Sequence, residues 1–188
     1  MTFTIFPAII PTVIAMKETT KQMIADSVRD FRLPRYHEIP TVGLYLEQTT
    51  KYICEILSPL QENAITGSMI SNYVKKGLVE NPVKKQYSRD QICYLIFIAL
   101  AKNVLSLDNL AVFIRLQQRT YDRETAYNYI CDEFDNLLKF VFGVKDVVSA
   151  VGMDSSDEKI MLRGTLITIA HKFYLEKCFE AIAADEDL

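Results

Sequence analysis

The sequence predicts an all-α chain with at most one small two-stranded wing. Three observations carry that reading. Apolar residues recur at helical spacing through most of the 188 residues, and Ser or Thr sits where helices should begin. Only 6 Gly and 6 Pro are present, too few for the many tight turns of a sandwich or barrel. The apolar share is 49%, enough for a buried core and too high for a disordered chain.

The elements follow in order. Residues 1–16, "MTFTIFPAIIPTVIAM", are apolar, but Pro7 and Pro11 interrupt them and they lack a basic n-region. They read as an arm packing on this or a neighbouring subunit rather than a signal peptide or a bilayer span of about 20 residues. Met23, Ile24, Ser27, Val28 and Phe31 place a modest apolar stripe on a helix over 17–31. "RLPRYHEIP" then forms an extended linker bounded by two prolines. From Thr41 a second helix is expected, with Val42, Tyr45, Leu46, Thr49, Ile53, Ile56 and Leu57 inward and Ser58-Pro59 as its end.

Thr66 is a good N-cap for the next helix, whose Ile70, Tyr73, Val74 and Leu78 fall on one buried side. Ser68, Ser71, Asn72, Lys75 and Lys76 are left on the open side, and Gly77 can take a left-handed cap. In "LVENPVKKQYS", Val79, Val83 and Tyr87 suit a small wing carrying Lys84 and Lys85. Ser88 and Gln91 make a capping box for a strongly apolar helix that also carries Arg89 near its start. Ser106 caps a shorter helix. A long helix runs from about Arg123 to Phe142 with Gly143 as its stop, and another, capped by Ser155, reaches Ile182. Three segments result: an arm and helix over 1–31, a unit over 32–116, and a helical dimerising or regulatory part over 117–188.

Net charge is −3, so any case for nucleic acid must come from how charge is distributed. Residues 21–119 hold 13 Lys and Arg against 9 Asp and Glu, whereas residues 120–188 hold 7 against 14. The four cysteines lie far apart in apolar runs without metal-ligand spacing, which fits free buried thiols in a reducing cytoplasm. No metal or cofactor is expected. His37 and His171 stand apart from any nucleophile, and no phosphate-cradling glycine loop exists, so no enzyme is expected.

Helix, turn, short helix with a polar outer side, lysine-bearing wing, helix: this order is that of a winged helix-turn-helix. Such a module needs short hydrogen-bonding side chains at base edges, here Ser68, Ser71 and Asn72. It needs cations at phosphates, here Lys75, Lys76, Lys84, Lys85 and Arg89. The alternative is a helical protein-interaction module that keeps the fold without binding DNA.

Residues 71–114 resemble the DNA-binding domain of the MerR-type regulators. The likeness falls on Tyr73, Gly77, Leu78, Pro82, Tyr87 and Asp90, and continues through Ser106, Leu107 and Leu110. "LPRYHEIPTVGLYLEQ" with "MISNYVKKGLV" resembles the bacterial domain-of-unknown-function family 1836 over about residues 30–116. The resemblance implies a MerR-like head on double-stranded DNA with a helical C-terminal part. Asn72 stands where that pattern usually has Arg, the turn "SPLQENA" is long, and no coiled coil with metal-binding cysteines follows. Metal sensing is therefore not implied. The expected protein is a cytoplasmic homodimer that controls transcription, open to a small-molecule effector. Tyr127, Phe134, Phe140, Phe173 and Tyr174 read as core packing, with an apolar effector pocket as the alternative.

Overall fold

In the computed structural model, residues 16–149 and 156–184 are described. The expectations for the arm over 1–15 and the Ser155 cap lie outside those residues. Seven helices and one two-stranded sheet are seen among the described residues: α1 Glu18–Asp26, β1 Leu44–Tyr45, α2 Leu46–Leu57, α3 Gly67–Lys75, β2 Gln86–Tyr87, α4 Arg89–Ala101, α5 Leu107–Thr120, α6 Arg123–Val141 and α7 Asp157–Ala184. A single 3-10 turn, Tyr36–Glu38, interrupts the linker after α1. The all-α expectation with a small sheet holds.

The cap residues act where the sequence placed them. Thr66, Ser88 and Ser106 each accept a hydrogen bond from the backbone N–H three residues on. Each fills one of the donor positions that a helix start leaves open. α4 is the centre of the molecule. Its Ile92, Leu95, Ile96, Ile98 and Ala99 are wholly buried, and Phe97 stacks on Phe113 of α5 at 5.4 Å. A helix buried on nearly all sides must be covered by others, and α2 and α7 both pack on it. The most extensive helix contact is between α6 and α7.

One continuous apolar cluster runs from Ile24 through α2, α3 and α4 to Cys178 in α7, so the helices after residue 117 share the core of the earlier unit. Each fully buried Leu or Ile contributes about 1.5–3 kcal/mol. Tyr127, Phe134 and Phe173 are in that core and Tyr174 packs against it, which favours the packing reading at those residues, whereas Phe140 is exposed and does not pack there. All four cysteines are free, with Cys54 half-buried and the others buried. Burial pushes the Cys131 thiol up to about 12.

Three sequence expectations are revised. α2 begins at Leu46, not Thr41, because Leu44 and Tyr45 are drawn into the sheet, and Val42 is exposed. The wing strands are not both from the segment after α3: Leu44 pairs with Tyr87 and Tyr45 with Gln86, antiparallel, while Val83 makes only an isolated bridge to Gln86. Gly43 allows this approach, since a Cβ there would sit 2.9 Å from Gln86 Cβ. In α1, Met23 points to solvent at 72% exposure although Ile24 is buried.

Glu133 of α6 is fully buried, and its closest cation is Arg163 Nε of α7 at 3.3 Å. Burial holds its carboxyl above the ordinary range, against the pull of Arg163. Stability from a raised acid is complete below the ordinary value near 4.5 and is lost as pH rises through the folded value. Glu133→Gln is therefore expected to stabilise the chain at pH 7 by about 1 kcal/mol. That advantage over the parent should shrink toward pH 5. Urea midpoints of both chains at the two pH values check it; a constant loss at both would contradict it.

Candidate nucleic-acid interface

α3 lies on the core through Ile70 and Tyr73. Opposite them, Ser68, Ser71, Asn72 and Lys75 fall at i, i+3, i+4 and i+7, and all four are exposed. The serine hydroxyls are partly engaged: Ser71 Oγ donates to the Gly67 carbonyl at 2.9 Å, and Ser68 Oγ lies 3.0 Å from Thr66 Oγ1. Among the described residues nothing hydrogen-bonds the Asn72 amide, and no acid pairs with Lys75 or Lys76. The helix stops through Gly77 at φ 71, with the Gly77 N–H donating to the Val74 carbonyl and the Leu78 N–H to Tyr73. That pair of bonds is a Schellman cap, and it leaves Lys76 exposed at the end of the rod.

The turn from α2 to α3 is long but anchored. Leu60, Ala64 and Ile65 are buried, so the angle between the two helices is fixed by packing rather than by a short turn. After α3, Leu78 and Val79 return to the core, and the chain then reverses at Val83–Gln86. Lys84 and Lys85 occupy the two central positions at φ 51 and φ 65, closed by the Gln86 N–H donating to the Val83 carbonyl at 2.9 Å. Two consecutive positive φ values make a type I′ turn, which favours Asn-Gly. Lysine there carries a strain of roughly 1 kcal/mol or more per residue. Both ammonium groups are exposed, and no acid pairs with either among the described residues.

Arg89 is differently placed. It is half-buried, its Nε donates to the Ile39 carbonyl at 2.9 Å, and its guanidinium lies 5.0 Å from the centre of the Tyr36 ring. Its neighbour Asp90 accepts from the Tyr36 hydroxyl at 2.7 Å and from Arg123 of α6 at 2.6 Å. Burial alone would raise the Asp90 carboxyl, but those two donors hold it below its ordinary range. The same bond to Asp90, with burial, pushes the Tyr36 hydroxyl up to about 12. Arg123 also reaches Glu80 at 3.6 Å, while Gln91 donates to the Glu80 carbonyl. This network ties the loop carrying the two-lysine turn to α4 and α6.

The family described as Domain of unknown function (DUF1836) matches residues 34–134. The chain belongs to that family. No curated protein and no solved structure matches the chain. The DUF1836 match runs past residue 116 and covers most of α6, so Tyr36, Asp90 and Arg123 all fall inside the family unit. Sequence reasoning placed Asp90 in a motif but missed its partners: nothing local marks Tyr36 or Arg123, which lie 54 and 33 residues away. Among the described residues of this DUF1836 member there is no group of His, Cys, Asp and Glu that could hold a metal ion, and no helix is long and apolar enough to cross a membrane.

Proposed function

We propose that this chain is a sequence-specific DNA-binding transcriptional regulator with a MerR-like winged helix-turn-helix. α2, the buried turn and α3 form the helix-turn-helix, and the Lys84–Lys85 turn with the small sheet forms the wing. α3 enters the major groove. Asn72, with Ser68 and Ser71 beside it, faces base edges, and an Asn–adenine pair is worth about 1–3 kcal/mol of discrimination. Lys75, Lys76, Lys84 and Lys85 hold phosphates and add affinity without specificity. Arg89, engaged by Ile39 and Tyr36, mainly positions the start of α4.

One observation carries the reading: two adjacent lysines are kept in a strained turn at an exposed tip where Asn-Gly would be more comfortable. Strain retained at a surface cation pair is accounted for by an anionic partner. Two copies of the chain would set the spacing of two reading heads. In support, α7 exposes Met161, Leu175 and Phe179.

Fluorescence anisotropy on a duplex from the chain's own upstream region tests the function. With four phosphate-binding lysines, affinity should fall roughly 150-fold per chain between 50 and 200 mM salt. Changing Lys75, Lys84 and Lys85 to Ala should lower the log–log salt slope by about 2.7 while far-UV circular dichroism stays the same. Absent binding, or an unchanged slope, would favour the protein-interaction reading.

A further inference from the structure

A line of voids runs beneath α5. One, of about 90 Å³, lies between α5, α6 and α7 and is framed by Phe113, Gln117, Tyr121, Ala126 and Tyr129; a wider and more open groove of about 410 Å³ adjoins it at Phe113 and Met161. A smaller one, of about 20 Å³, shares Phe113, Gln117 and Ala126 with the first and reaches Asp90 and Arg123. Protein interiors rarely leave voids larger than a water molecule. At about 90 Å³, against roughly 150 Å³ for an engineered apolar cavity that binds benzene, the first cavity seats one small ring, with the rest of a bicyclic guest lying in its open rim.

The lining selects the ligand. It is almost wholly apolar, so water gains little there. Three half-buried rings, Phe113, Tyr121 and Tyr129, offer stacked or edge contacts to another ring. The Lys159 ammonium already lies 4.8 Å from the centre of the Tyr129 ring, which disfavours a cationic guest. Glu158 at the same rim disfavours an anionic one. Gln117 supplies the polar contact. Its Oε1 accepts from the Tyr94 hydroxyl at 3.1 Å and keeps a second lone pair, while its Nε2 donates to the Tyr121 carbonyl at 3.4 Å.

We propose that this cavity is a binding site for a small uncharged aromatic molecule with one ring N–H or O–H, of the indole or phenol class. The Gln117 amide oxygen accepts the donor, and the three rings hold the apolar body. The site does not depend on the DNA reading. Its position does place the ligand one helix away from the Asp90–Arg123 contact.

The test uses the full chain without DNA, with indole as probe, followed by saturation-transfer NMR and thermal melts. Indole at ten times its Kd should raise the midpoint by about 3 °C. Ala126→Phe fills the cavity and should abolish both signals. Gln117→Leu should weaken indole at least fivefold while leaving toluene binding unchanged. No response to indole or phenol overturns the site. A response that survives both substitutions places the probe elsewhere and also overturns it. Stabilisation by tetramethylammonium in place of indole would overturn the ligand class.

Discussion

Replacing Lys84 by Asn and Lys85 by Gly is expected to make the protein more stable and a worse DNA binder at once. Both residues sit at positive φ in a type I′ turn, where Asn-Gly fits without strain. The folded chain should gain about 1–2 kcal/mol, read as a higher urea midpoint at an unchanged slope. Loss of two phosphate contacts should lower the salt slope by about 1.8 and the affinity on the order of 60-fold at 0.1 M salt. Opposite signs in the two assays separate a functional turn from a merely tolerated one. If DNA affinity is unchanged while stability rises, the lysines at this tip serve something other than phosphate.

The largest stability effect should come from Arg35, which lies in the linker rather than in any helix. Asp135 of α6 is buried, accepts from the Leu33 N–H at 3.1 Å, and pairs with Arg35 at 2.9 Å. Arg35 also reaches Asp132 at 2.8 Å. Burial pushes the Asp135 carboxyl up, against the Leu33 N–H and Arg35. Arg35→Ala leaves that carboxylate in the core with one remaining donor, at an expected cost of about 3–5 kcal/mol. For a chain of this length the melting midpoint should fall by about 8–15 °C. The loss should shrink toward pH 5, because an Asp135 without Arg35 takes up a proton more readily and a protonated acid no longer needs the cation. Adding Asp135→Asn to Arg35→Ala should recover part of the stability, with the coupling energy read from the double-mutant cycle. A loss below 1 kcal/mol, or one independent of pH, would mean that Arg35 only decorates the surface.

The helices were readable from local signals. Thr66, Ser88 and Ser106 mark their starts within one turn, and the i, i+3, i+4 spacing of Ile70, Tyr73 and Val74 fixes which side of α3 turns inward. The exposed row Ser68, Ser71, Asn72 and Lys75 follows from the same periodicity. What could not be read depends on residues far apart in the chain. The pairing of Leu44 with Tyr87 spans 43 residues, and it moved the start of α2 from Thr41 to Leu46. Arg35 and Asp135 are 100 residues apart, and each looks like an ordinary surface charge in its own neighbourhood. Arg89 reads as a free cation in sequence, yet Ile39 and Tyr36 hold it. The strain at Lys84 and Lys85 was also hidden, since a Lys-Lys pair carries none of the usual turn residues. Periodicity reports which side of an element is buried, and it is silent on which distant partner buries it.

The most direct measurement is a map of backbone amide shifts in the 15N-labelled chain as a 20-base-pair duplex from its upstream region is added. Perturbations should concentrate on Gly67–Lys76 and on Val83–Gln86, and should weaken together as salt rises. Shifts confined to α7, or none at protein and duplex concentrations near 100 micromolar, would show that α3 and the two-lysine turn do not meet DNA.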